Sequence, residues 1–230
     1  NLVQLIVSSA FGCKNDTITQ LFYTIENPVA NFAALPNQGC SPLTVQFSDS
    51  SSAGVSHEWF INDLSFSTSA NPSQTFINNS NTRDSILNIT LIVTAGSGCS
   101  DTIVKTITVF PKPLAIFTIP ASVCANDSII LTHTSQAKSI DRIQWIGSSS
   151  ALSFEDSTAN NSTLYFPDNQ SGNDSVYTIS LIVFSSDGCS DTLDQNISVF
   201  SRPTANFSLP TNACGPFNLL PADASTGPNL

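Results

Sequence analysis

Between residues 84 and 99 the chain reads DSILNITLIVTAGSGC, and Leu87, Ile89, Leu91 and Val93 alternate with Asn88, Thr90 and Ile92. A period of two predicts a strand with one face buried, because successive side chains of an extended backbone point to opposite sides. The run DSVYTISLIVFSSDGC at 174–189 repeats the pattern, with Tyr177, Ile179, Leu181 and Val183 as its inward set. Each run closes on a glycine turn and is followed by a second alternating run; after the first, Ile103, Lys105, Ile107 and Val109 share one face. Two long strands joined by a tight turn predict a β-hairpin. Shorter runs predict further strands at 43–50 and 128–135, at 56–62 and 142–147 (each carrying a Trp), and at 73–77 and 162–166.

The pattern is periodic on a larger scale too. GCSDT occurs at 98–102 and again at 188–192, and a weaker copy, FGCKNDT, lies at 11–17. Trp59 and Trp145 recur with the same spacing, as do the LIV triplets at 5–7, 91–93 and 181–183. Self-similarity with a period of about 90 residues predicts an array of like units. Seven or so short strands per unit, separated by turn signals, predict an immunoglobulin-like β-sandwich. The expected fold is therefore all-β: tandem immunoglobulin-like sandwiches stacked end to end. Prolines mark the boundaries at Pro28, near Pro111 and Pro113, and near Pro203. They divide the chain into 1–28 (the last two strands of a preceding repeat), 29–112, 113–202, and 203–230 (the first part of a following repeat). The linkers are short and stiffened by proline. With no Met, and with residue 1 inside a strand-like run, the sequence reads as an excerpt from a longer array.

Composition narrows the picture. Lys and Arg number seven in 230 residues, and Ser, Thr, Asn and β-branched residues dominate, which favours strands and turns over helices. A net charge of −10 leaves no basic patch to displace counterions from a nucleic acid, and it disfavours an anionic membrane surface. No stretch approaches the roughly 18 consecutive apolar residues of a membrane helix. Catalytic constellations are missing: there is no nucleophile elbow, phosphate loop or His-Glu-x-x-His. Glu155 and Asp156 sit side by side in an expected turn, where solvation explains them better than a catalytic pair. Asp187 and Asp191 flank a hairpin tip and are the candidates for a Ca²⁺ contact, although Ca²⁺ asks for six to eight oxygens. His57 and His133 are isolated and no Cys-x-x-Cys occurs, so zinc is disfavoured. Trp59 and Trp145 fit a sandwich core better than a sugar-stacking platform.

The six cysteines occupy two recurring positions. Cys40, Cys124 and Cys214 precede a second strand; Cys13, Cys99 and Cys189 open a last strand. Fixed positions favour disulfides. Pairing inside a repeat gives Cys40–Cys99 and Cys124–Cys189. In a sandwich, however, those positions lie at opposite ends, about 30 Å apart at strand rise, whereas bonded Cα atoms sit about 5.5 Å apart. A bond from one repeat to the next, Cys40–Cys189, is the favoured expectation, with partners outside the excerpt for Cys13, Cys99, Cys124 and Cys214. The within-repeat pairs remain the alternative.

The stretch CSPLTVQFSDSS at 40–51, with the Trp strand and the alternating strand closed by Gly-Cys, resembles the PKD (polycystic kidney disease) repeat. The cysteine-bearing version in large secreted surface proteins of Bacteroidota is the nearer likeness. The family's Trp-Asp-Phe-Gly-Asp-Gly stretch is here EWFIND at 58–63 and QWIGSS at 144–149, so the Trp persists and the acidic turn does not. The resemblance implies a non-catalytic, extracellular or cell-surface spacer: a segment of the stalk or filament of an adhesin, exported by a type 9 system. The implied partners are neighbouring repeats of the same chain, lateral copies in a filament, and surface or glycan ligands bound by other parts of the protein. The alternative implication is a carbohydrate-binding accessory region of a secreted enzyme. The Asp-Ser and Asp-Thr pairs also resemble Bacteroidota O-glycosylation acceptors, which makes Thr17, Ser85, Thr102, Ser128, Ser157, Ser175 and Thr192 the candidate sugar sites. The plainer reading of those pairs is that Asp, Ser and Thr start strands and turns.

Overall fold

The computed structural model describes residues 1–23, 26–209, 211–212, 215 and 221–227, and these are all strand, turn or irregular, with no helix. In chain order the strands are β1 (Leu2–Val7), β2 (Asp16–Leu21), β3 (Phe32–Leu35), β4 (Gln38–Cys40), β5 (Leu43–Asp49), β6 (Ser56–Ile61), β7 (Leu64–Ser67), β8 (Ser73–Phe76), β9 (Ser85–Thr94) and β10 (Ser100–Phe110). They continue as β11 (Ser122–Cys124), β12 (Ser128–Leu131), β13 (Ile140–Gly147), β14 (Ser153–Phe154), β15 (Ser162–Tyr165), β16 (Ser175–Ser185), β17 (Ser190–Phe200), β18 (Phe207–Ser208) and β19 (Ala222–Asp223). The chain divides into two compact units. Unit 1 holds 1–38, 44–75 and 86–108; unit 2 holds 39–43, 76–85 and 109–230.

In the first repeat, one sheet runs β3-β5-β8 and the other β4-β10-β9-β6-β7. The period-two pattern decides what faces inward. On β9, Ile89, Leu91 and Val93 are buried, and on β10 so are Ile107 and Val109. Phe32 from β3 and Phe47 from β5 meet Trp59 from β6 at centroid distances of 5.0 and 5.3 Å. Rings from opposite sheets thus close the core, each such pair adding about 0.5–1.5 kcal/mol beyond its buried area. The Trp59 indole N–H donates to the Ser69 carbonyl at 2.8 Å, so its polar edge is satisfied in a dry site. Unit 1 also contains the β1–β2 hairpin, whose residues are all exposed.

The second repeat, in unit 2, has sheets β12-β15-β14 and β11-β17-β16-β13. Its core gathers Phe117, Leu131, Trp145, Leu164, Ile179, Leu181, Val183, Ile197 and Val199. Trp145 pairs across the ladder with Leu181 as Trp59 does with Leu91, and its indole N–H donates to Ala159 O at 3.1 Å. The chain is all-β, built of immunoglobulin-like sandwiches.

The two repeats differ in the strand that follows the tryptophan strand. Asn62 and Asp63 both have positive φ, 45° and 69°. That is the signature of a two-residue hairpin turn, and it folds β7 back onto β6. In the second repeat Gly147 occupies the corresponding end, and a Cβ there would lie 2.6 Å from Leu152 Cδ1. The chain instead tucks Leu152 inward, and β14 pairs with β15 on the other sheet.

Candidate functional site: the repeated Gly-Cys-Ser-Asp-Thr turn and its disulfide

The glycine and the aspartate of the repeated pentapeptide do matching work in both copies. Gly98 and Gly188 adopt φ of +85° and +81°, a conformation that costs an L-residue about 1–2 kcal/mol. The turns are closed by matching bonds: Ala95 N–H to Cys99 O at 2.8 Å and Gly98 N–H to Ala95 O at 2.9 Å, then Ser185 N–H to Cys189 O at 2.8 Å and Gly188 N–H to Ser185 O at 3.0 Å. The aspartate then reaches sideways to the irregular segment that opens its own repeat. Ala30 N–H donates to Asp101 Oδ2 at 2.7 Å, and Ala115 N–H donates to Asp191 Oδ2 at 2.9 Å. Lys112 Nζ adds a 2.6 Å ion pair to Asp191.

These contacts set the charge states. Asp101 is held below the ordinary carboxylate pKa by the Ala30 N–H and then by the Thr102 N–H. Burial pushes Asp191 up, but the Lys112 ammonium and the Ala115 N–H together outweigh it, and the carboxyl ends below its ordinary value. Four residues further along the strand a second clasp repeats in different chemistry. Lys105 donates to Phe32 O and, at 3.1 Å, to Asn31 Oδ1. Its counterpart Gln195 donates to Phe117 O at 2.7 Å and accepts from Ile119 N–H at 3.3 Å.

The cysteine of the second turn is bonded. Cys189 joins Cys40, with Cα atoms 5.6 Å apart and a sequence separation of 149; both belong to unit 2. Cys189 is 2% exposed. The within-repeat alternatives, Cys40–Cys99 and Cys124–Cys189, do not form. Cys124 stands opposite Phe200, at the far end of β17, while Cys189 precedes its first residue. Eleven strand residues separate the two by roughly 36 Å at 3.3 Å per residue. Likewise Ser41 N–H bonds Phe110 O, which places Cys40 beside the far end of β10 from Cys99. Cys13 and Cys124 are exposed free thiols, Cys99 is a half-buried one, and Cys214 lies outside the described residues.

An ionic clasp absent from the sequence reading also lies in unit 2. Lys138 Nζ sits 2.8 Å from Asp84 Oδ2 and 3.3 Å from Asp187 Oδ2, above the ring of Phe110 at 5.7 Å. Asp84, and more weakly Asp187, hold the ammonium above the ordinary lysine pKa. The partners are 54 and 49 positions from Lys138, so no local sequence signal could have paired them. Of the two aspartates weighed for Ca²⁺, Asp187 thus faces Lys138 and Asp191 faces Lys112. No group of three or more potential metal ligands occurs among the described residues.

The remaining candidates are placed as follows. The aspartates of the Asp-Ser and Asp-Thr pairs are structurally engaged. Asp16 and Asp127 accept from the next N–H, Asp156 accepts from Thr158, and Asp174 from Ser201 N–H. Their hydroxyl neighbours divide: Thr17, Thr102, Ser128 and Thr192 are exposed, while Ser85, Ser157 and Ser175 are half-buried. Glu155 accepts from the Thr163 hydroxyl at 2.7 Å, which takes it out of any pair with Asp156. His57 bonds Asp49 at 2.9 Å, and His133 lies 3.4 Å from Asn160. Both tryptophans are buried to 1% exposure or less, so neither offers a ring to a sugar.

No protein-family profile matches the chain, and no curated protein matches it. Among solved structures it is similar to the fibronectin(III)-like modules of Clostridium thermocellum CbhA, at 14% identity and TM-score 0.35, over 75% of this chain and 94% of that one. It is similar to the N-terminal eight Ig domains of Down Syndrome Cell Adhesion Molecule, at 13% identity and TM-score 0.38, over 100% of this chain and 36% of that one. It is also similar to extracellular cadherin domains 3–6 of Protocadherin Gamma B2, at 11% identity and TM-score 0.34, over 93% and 65%. Scores below 0.5 carry no weight for function; the sandwich assignment rests on strand order and core.

Proposed function

We propose that the chain is a non-catalytic spacer of an extracellular protein, made of PKD-like repeats in the stalk of a bacterial surface adhesin. One observation carries the reading: the disulfide takes a cysteine from one sequence repeat and its partner from the next. Such a bond ties one sequence repeat to the next, and it persists in oxidising compartments. The clasps at Asp101, Asp191, Lys105 and Gln195 support the same reading, since they spend the polar residues of the motif on fastening strands. The resemblance of residues 40–51 to PKD repeats of Bacteroidota surface proteins supports the adhesin assignment. By the same repeat logic, Cys99, Cys124, Cys13 and Cys214 bond to equivalent cysteines of adjoining repeats. Thr102 and Thr192, exposed beside engaged aspartates, head the proposed glycan sites; a mass equal to the bare sequence in protein from its native source removes that part. The test of the spacer reading is a glycan array probed with the oxidised 230-residue chain. A spacer gives no saturable binding. Saturable binding, lost on substitution of exposed rings such as Tyr165 or Phe207, overturns it in favour of a carbohydrate-binding accessory region.

A further inference from the structure

We infer that the Cys40–Cys189 bond is a mechanical shunt, carrying tension past the 148 residues it encloses, and so past strands β5 to β16, instead of through them. The inference rests on the spacer reading, since a stalk is pulled at its ends. The argument is topological. Tension entering before Cys40 and leaving after Cys189 crosses the sulfur–sulfur bond, and the span between them, at a sequence separation of 149, stays slack. Strands β5 to β16 all lie inside that span. The covalent force path is the segment from β1 through β4, the bond itself, and the segment from β17 onward.

The strands on the path suit the role. β17 is eleven residues of extended chain running from Cys189 to Phe200. At about 3.3 Å per residue, against a limit near 3.6 Å, it yields only a few ångströms before it is taut. It needs no ladder hydrogen bond to break in order to carry force. Side-chain clasps also fix the path to the slack body. Asp191 and Gln195 on β17 hold the backbone at Ala115, Phe117 and Ile119. Asp101 and Lys105, inside the span, hold Ala30 just before β3 and Phe32 at its start. Pairing within repeats would leave the stretch from 100 to 123 on the path and divide the cores between two smaller loops.

The test is single-molecule stretching of the 230-residue chain through handles at its two ends, with Cys13, Cys99, Cys124 and Cys214 changed to Ser to prevent exchange. Roughly 80 residues lie outside the span, so the oxidised chain should reach a contour of only about 300 Å at 3.6 Å per residue. Adding a dithiol under load should release about 540 Å in one further extension. The Cys40→Ser chain should reach about 830 Å without reductant. Full extension of the oxidised chain overturns the shunt. So does retention of about 230 Å in Cys40→Ser with the other cysteines restored, since that is the loop of a Cys124–Cys189 bond. Should Cys40→Ser fold poorly, the wild-type chain stretched before and after reduction gives the same reading. Stretching is independent of glycan binding, so the shunt and the spacer reading fail separately.

Discussion

Asp191→Asn removes the charge of the motif aspartate while keeping its shape, and Asp191→Ala removes both. In the folded chain Asp191 accepts from Ala115 N–H at 2.9 Å and pairs with Lys112 at 2.6 Å, with its side chain 17% exposed. A hydrogen bond to a charged, mostly buried acceptor contributes about 1.5–3 kcal/mol net, and a neutral one about 1 kcal/mol. Asn should therefore cost about 1 kcal/mol and Ala about 2 kcal/mol, the latter leaving the Ala115 N–H unpartnered. The pH dependence has a definite sign. The folded pKa is depressed, so the carboxylate stabilises fully above its unfolded pKa near 4 and loses that contribution as pH falls through the folded value. Wild-type and Asp191→Asn stabilities should thus differ by a constant amount from pH 7 to about 5 and converge below 4. Urea titrations followed by Trp145 fluorescence in a Trp59→Phe background measure this across pH. A difference that grows toward low pH, or an Ala variant as stable as wild type, refutes the strand-fastening role.

Four further outcomes follow from the same geometry. Reducing the Cys40–Cys189 bond, with the free cysteines replaced by Ser, should lower the stability read by Trp145 by about 4–5 kcal/mol, the chain entropy of a loop of this length; an unchanged urea midpoint contradicts it. Leu181→Ala, at a fully buried position opposite Trp145, should cost about 3–5 kcal/mol in the same titration, and a cost under 1 kcal/mol would show that the site is not core. Gly188→Ala should cost about 1–2 kcal/mol from its φ of +81° alone, because no atom lies within 4 Å of the added Cβ; hydrogen exchange should then rise in the β16–β17 turn and not in β12. Asn62→Pro, which cannot adopt the positive φ of the β6–β7 turn, should expose the β7 amides to exchange while leaving the β9–β10 ladder protected.

Much of the fold was legible because a sandwich strand carries its burial in its alternation. Leu91 and Leu181 were assigned inward by parity alone, and both are fully buried. The strand expected at 128–135 is shorter in the structure: its ladder stops at Leu131, and His133 makes only an isolated bridge to Phe117. β7 is not among the expected strands, although Asn62-Asp63 carries the composition of a two-residue hairpin turn that announces it. β4 and β11, three residues each, are too short to show a period. At the site, the recurrence of Gly, Cys and Asp is plain in the sequence; that the aspartates bind the backbone at Ala30 and Ala115 is not, because those partners lie 71 and 76 positions away. The Lys138 clasp joins residues about fifty positions apart, and only packing brings them together.

The disulfide pattern bears hardest on the whole account. A non-reducing digest of the native chain, resolved by mass spectrometry, should yield a linked peptide pair containing Cys40 and Cys189. Linked pairs containing Cys40 with Cys99, or Cys124 with Cys189, would confine each bond to a single repeat and contradict it.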